Sequence, residues 1–131
     1  MIEQYVFNKI TGDATLQTLL TDGAGGYNVY PSVIPRSLVF DRAITFSTLI
    51  TTDVFPNANA VSIQFNVFAK SHTDTVAITS ALANLFNGDN NKVDGNVEVI
   101  YSQRRSESDL AFDFDQNIFH REATYYFKIR Q

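Results

Sequence analysis

The chain has 131 residues, 44% of them hydrophobic, with no cysteine and a formal net charge of -4. That length reads as one domain, 1–131, large enough to bury roughly two-thirds of its unfolded surface. The absence of cysteine excludes a disulfide scaffold or a thiolate metal site and suits folding in a reducing cytoplasm.

The ten Lys and Arg residues are scattered apart from the pair Arg104 and Arg105. Such a balance argues against a protein that grips nucleic acid through its phosphates and suits a surface that DNA slides past. The first residues, MIEQYVFNKI, carry an acid at position 3 and no unbroken apolar run, unlike a signal peptide, and no stretch approaches membrane-spanning length.

In chain order, Ile2 to Ile10 predicts a short helix with Ile2, Val6 and Ile10 on one stripe, interrupted at Gly12. Asp13 is the expected N-cap of a second short helix, Ala14 to Thr21, with Leu16, Leu19 and Leu20 turned inward. The run Asp22 to Gly26 ends it as a glycine-rich turn, since no Gly-Lys-Ser/Thr follows to make it a phosphate loop. Val29 to Pro35 reads as an extended connector fixed by its prolines. Leu38 to Ile50 then predicts a long strand with Leu38, Phe40, Ile44, Phe46 and Ile50 on one face, Arg42 as the exception and an irregularity near Asp41-Arg42. Thr52 to Asn59 is the expected turn into the next strand.

Ala60 to Lys70 alternates cleanly. Val61, Ile63, Phe65, Val67 and Ala69 share one face and Ser62, Gln64, Asn66 and Lys70 the other, where Phe68 breaks the polar pattern. Ser71 offers an N-cap with Asp74 three residues on, and Ile78, Ala81, Leu82, Leu85 and Phe86 recur as one face of a helix closed by Gly88 at C′. No residue from Thr75 to Gly88 is charged, so the outer side of this helix carries only Val76, Ala77, Thr79, Ser80, Ala83, Asn84 and Asn87. A small uncharged face of this kind is covered either by the N-terminal helix or by another subunit.

Asp89 to Asn96 reads as a polar loop, Val97 to Gln103 as a strand, and Ile118 to Arg130 as the last strand, with Phe119, Ala123, Tyr125, Phe127 and Ile129 buried. His120, Glu122, Thr124, Tyr126 and Lys128 share its other face. Arg104 to Asn117, with Glu107, Asp109, Asp113 and Asp115, is either a long excursion or a strand pair with its own loop. The fold expected is α+β: an antiparallel sheet of about four strands, with the N-terminal helix and one central helix packed on one face.

No catalytic or cofactor-binding constellation is expected. His72 sits in a first helical turn, where a solvated polar role is the ordinary one, and His120 with Glu122 reads as part of an exposed cross-strand row. Asp113 and Asp115 are a possible cation pair, but an isolated Asp-x-Asp reads first as a solvated acidic loop. Serine-elbow, His-Glu-x-x-His and dinucleotide motifs are missing, so neither metal nor cofactor is assigned.

The order of these signals resembles a known family. A helical N-terminus ending in Asp13-Ala14 with Leu16 and Leu19-Leu20, then Val29-Tyr30-Pro31 with Pro35, then Phe65-Asn66-Val67-Phe68-Ala69 feeding a helix, then His120-Arg121 and a final Tyr126-Phe127-Lys128-Ile129, is similar to the tail-completion proteins of long-tailed bacteriophages. These are also called tail terminators or tail-to-head joining proteins. The resemblance implies a non-enzymatic α+β subunit of a homo-hexameric ring. That ring caps the tail tube, joins it to the head-completion or connector protein, and leaves a channel through which DNA passes without specific binding. It implies assembly in the host cytoplasm and a place in the virion at the head-proximal end of the tail, with no membrane. A closed ring needs two different patches per subunit. Val76, Ala77, Ser80, Ala83 and Asn84, with Tyr126 and Lys128 on the last strand, are the candidate interface residues. The acidic run Glu107, Asp109, Asp113 and Asp115 is the candidate channel-facing loop, where negative charge limits DNA adhesion. The alternatives are another head-connector or minor tail ring subunit, a small metal-dependent hydrolase using His120, Glu122 and Asp113/Asp115, or a small-ligand binder.

Overall fold

A computed structural model describes 2–23, 25–32, 34, 40–55, 58–88, 90–94, 97–110 and 112–130, the side chains of 50–55, 58 and 90–94 excepted. The chain is α+β. Its elements run α1 (Ile2–Gly12), α2 (Ala14–Leu20), β1 (Val29–Pro31), β2 (Arg42–Phe55), β3 (Ala58–Ala69), α3 (His72–Phe86), β4 (Asn90–Asp94), β5 (Val97–Asp109) and β6 (Phe119–Arg130). One six-stranded sheet has the order β1-β2-β3-β6-β5-β4.

The helices start where short-range chemistry starts them. The Asp13 carboxylate accepts the Leu16 N–H at 3.0 Å and the Ser71 hydroxyl accepts the Asp74 N–H at 3.1 Å, each satisfying an otherwise orphaned donor. Asn87 caps α3, and Gly88 follows with φ 84°, a left-handed turn that costs glycine little.

All three helices bury their apolar stripes on one face of the sheet. Ile2, Val6, Ile10, Leu16, Leu20, Ile78, Leu82 and Phe86 join Ile44, Phe46, Val61, Ile63, Phe65, Val67, Val97, Val99, Ala123, Tyr125, Phe127 and Ile129 in a single core. Phe65 lies at its centre, with ring centroids 5.4 Å from Phe86, 5.6 Å from Tyr125 and 6.3 Å from Phe46. Phe68, the apolar residue on the polar face of β3, stacks on His120 with centroids 4.3 Å apart. Tyr5 is buried as well, and Leu19 and Leu85 pack half-buried at the margin.

The sheet departs from the sequence reading in several places. Val29–Pro31 pairs parallel with β2 instead of serving only as a connector, so the sheet is mixed. Val33, Pro35 and Leu38 lie outside the described residues, and β2 as described begins at Arg42. It continues to Phe55 because the β-branched run Thr51, Thr52 and Val54 extends the ladder with β3 through Thr52↔Ala60, Asp53↔Asn59 and Phe55↔Ala58, where a turn was expected. Its irregularities fall between Thr48 and Ile50 and between Asp53 and Phe55, not near Arg42. Asn90–Asp94, expected as loop, forms an edge strand on β5, because Asn90↔Tyr101 and Asp94↔Val97 pairing satisfies its backbone without needing apolar side chains.

Arg42 is the exception on its strand because it is a tether. It donates to the Leu19 carbonyl at 2.6 Å and reaches the Asp74 carboxylate at 3.4 Å, tying the end of α2 to the first turn of α3.

Candidate functional site

In α3 the core stripe leaves an outer stripe at helical spacing: Val76, Ser80, Ala83 and Asn87. Val76 is 37% exposed, Ser80, Asn84 and Asn87 are exposed, and Ala77 and Ala83 are half-buried. The N-terminal helices also touch α3 but leave Val76, Ser80, Asn84 and Asn87 exposed in the single chain. Thr79 departs from the expected outer face: it is buried, donating to the Thr75 carbonyl at 3.0 Å and accepting from Arg121 Nε at 3.2 Å. At the end of the stripe, the Asn87 side chain accepts the Arg104 backbone N–H of β5 at 3.1 Å. The uncharged outer stripe of α3 therefore borders β5.

Tyr126 and Lys128 are half-buried on the opposite, helix-free face of the sheet. Tyr126 pairs with Ser62 and Gln103, its ring lies under the Arg105 guanidinium at 4.8 Å, and it meets Tyr101 at 6.2 Å. The fold does not bring the two halves of the candidate interface together; it places them on the two sides of one sheet.

The segment Arg104 to Asn117 is a strand pair with its own turn. β5 runs to Asp109, Asp113 and Ile118 bridge, and β6 returns. Glu107 and Asp109 thus stand on a strand rather than in a loop. Arg121 holds both, with Nη2 3.0 Å from Glu107 and Nη1 2.6 Å from Asp109, while Arg104 reaches Glu107 at 2.7 Å and His72 reaches Asp109 at 3.2 Å. Burial pushes the Glu107 pKa up, but hydrogen bonds to Thr79 and Arg121 and the charges of Arg121 and Arg104 outweigh it and hold the carboxyl below its ordinary 4.5. Hydrogen bonds from Arg121 and His72 likewise hold Asp109 below its ordinary value. Arg121 loses by burial and gains more from Asp109 and Glu107, so its pKa rises.

This cluster has a measurable consequence. A carboxyl whose pKa is lower in the folded chain stabilises fully above its unfolded value, and that contribution is lost as pH falls through the folded pKa. Glu107→Gln is therefore expected to cost about 1–2 kcal/mol at pH 7, the cost of leaving half-buried donors without a charged acceptor, and much less near pH 3. Urea unfolding at the two pH values checks it; an equal loss at both would show that the charge contributes nothing.

Asp113 and Asp115 are exposed at the turn, where Asp113 Oδ1 accepts the N–H groups of Asp115 at 3.0 Å and Gln116 at 3.2 Å. That is a turn-stabilising Asx arrangement. Beside them Phe114 is 83% exposed, with Phe112 packed between it and Phe119. Phe119, expected in the core, is half-buried at this end of the sheet because it meets Phe112 and His72 instead.

His120 bonds Asn66 Oδ1 at 2.9 Å, and burial keeps its pKa low despite Glu122. Glu122 accepts from the hydroxyls of Ser106, Ser108 and Thr124. Among the described residues no group of three or more His, Asp or Glu is placed to hold a metal ion, and no helix is long and apolar enough to cross a membrane. The Tyr125 hydroxyl is buried without a hydrogen-bond partner among the described residues, and burial pushes its pKa up to about 12.

Among known proteins, no family model and no curated sequence matches this chain. The fold does match: 96% of this chain superposes on 92% of a chain from the virion of a native gene transfer agent particle, with TM-score 0.71 and 12% sequence identity. At that identity the likeness shows a common fold across nearly the whole of both chains.

Proposed function

We propose that this chain is a structural, non-enzymatic virion protein that assembles with copies of itself into a ring at the head-proximal end of a phage tail. There it caps the tail tube, meets the head connector and leaves a channel for DNA. The observation that carries the reading is the whole-chain fold likeness to a virion protein, in a sequence whose order of elements resembles the tail-completion family.

Other features support it. The outer stripe of α3 is small, uncharged and uncovered, as a close subunit contact requires. A net charge of -4 lets DNA pass without a phosphate-binding surface. Because Arg121, Arg104 and His72 engage Glu107 and Asp109, the acidic wall reduces to Asp113 and Asp115 at the exposed turn, and these are the residues we place toward the channel.

The test is mass measurement of the purified chain, alone and mixed with tail-tube subunits, with negative-stain imaging of the tail ends. Rings at one end of the tube are expected. A chain that stays monomeric and never joins a tail end would overturn the proposal.

A further inference from the structure

Among the described residues the sheet is open on both sides, over different lengths of strand. On one side β4 covers β5 only as far as Tyr101, after which the Gly88 N–H bonds the Ser102 carbonyl and Asn87 takes the Arg104 N–H. From Arg105 to Asp109 no strand among the described residues pairs with the outer edge of β5. Leu110 N–H donates to the His120 carbonyl, so Leu110, Ser108 and Ser106 face their β6 partners, while Glu107 and Asp109 aim their backbone N–H and C=O groups outward. On the other side β1 covers β2 only from Ile44 to Phe46, leaving its continuation to Phe55 without a described strand partner. Unpaired strand edges are templates for a further strand.

We propose that neighbouring copies of this chain join edge to edge, β5 of one against β2 of the next, so that the sheet continues from subunit to subunit. This rests on the ring reading above and names the contact that builds the ring. Orientation permits it: strands alternate in direction across β2, β3, β6 and β5, so a copy added in the same sense lays its β2 antiparallel to β5.

Length permits it too. With Glu107 opposite Thr51 of the next copy, Arg105 falls opposite Asp53, just before Asn87 and Gly88 take up the β5 edge at Arg104 and Ser102. At the other end the irregularity after Thr48 puts Leu110 opposite Ser47, just before β1 begins at Phe46. Each short strand fills the column that the other subunit leaves empty.

Within one chain Glu107 is level with Phe46 through Ala123 and Phe65, and Thr51 lies four rungs further along because of the irregularity after Thr48, so this register slides each copy by four rungs. That is about 13 Å across four strands spanning roughly 19 Å. The resulting strand tilt is about 35°, within the range that closes barrels.

Two side-chain observations agree. Leu49 and Leu110, 51% and 44% exposed, come to lie within two residues of each other along the junction. The outer stripe of α3, which borders the β5 edge, would face α1 of the next copy, which lies beside β2 through the Glu3–Thr48 hydrogen bond and exposes uncharged Gln4 and Asn8.

Leu49→Cys with Leu110→Cys tests the contact in a chain that has no cysteine of its own. Within one chain β3 and β6 separate the two positions sideways by about 14 Å, and they also lie several residues apart along the strands, well beyond disulfide reach. Oxidation of the double variant, alone and on tail tubes, is expected to put most chains into a ladder of covalent multimers ending at one closed species, with neither single variant forming it. The masses of the same samples are read before oxidation. Multimers by mass without a ladder would overturn the edge contact and leave the ring reading standing. No multimer and no ladder would overturn both. A ladder that grows without limit would support the edge contact and overturn the closed ring.

Discussion

Ser80→Glu combined with Asn84→Lys is expected to abolish assembly while leaving the monomer folded. Both positions are exposed on α3, and neither side chain contributes to the core. The substitutions stand four residues apart with the acid first, the orientation that supports a helix by about 0.3–0.5 kcal/mol, so helix and fold survive. At a subunit contact the same two side chains are costly. Each ion must shed water against a neighbour offering no matching charge, a penalty of several kcal/mol per ion, and the small stripe that lets backbones approach is now bulky. Circular dichroism and thermal unfolding should match the parent chain, while mass measurement and imaging should show no rings. Rings forming normally would place the interface away from α3.

Phe65→Ala is expected to cost about 3–5 kcal/mol, the range for truncating a buried aromatic. That is a large part of the roughly 5–15 kcal/mol that holds a domain folded. The ring of Phe65 is fully buried and meets three other aromatic rings contributed by β2, α3 and β6, so its removal opens a cavity that no single element can collapse to fill. The melting temperature should fall by roughly 10–20 °C. Phe114→Ala is the contrast: an 83% exposed ring at the turn should change stability by less than about 0.5 kcal/mol. Chemical unfolding of the two variants separates the cases, and a loss below 1 kcal/mol at Phe65 would contradict the core as described.

Much of this architecture is written locally. β3 and the second half of β6 show strict alternation because one face meets helices and the other does not, and the periodicity survives in any single reading of Val61 to Ala69 or Ala123 to Ile129. The caps at Asp13 and Ser71 are equally local, since donor and acceptor lie three residues apart.

The charged half of β5 has no such mark. Its helix-facing side carries Glu107 and Asp109 where an apolar pattern would be expected, and they are stable there because Arg121 arrives from β6 and Thr79 from α3. Thr79 itself looks like an outward residue until that arginine covers it.

What the sequence by itself determined is therefore the set of helices, the two alternating strands and the uncharged side of α3, all properties of neighbours within a turn or a pleat. Only the tertiary structure decided that Val29–Pro31 and Asn90–Asp94 are strands, that Glu107 and Asp109 are held by Arg121, and that among the described residues part of β5 and part of β2 keep an unpaired edge. Strand pairing and ion pairing join residues far apart in the chain. Their stability depends on which backbone and which charge the rest of the fold brings alongside, and no local pattern carries that information.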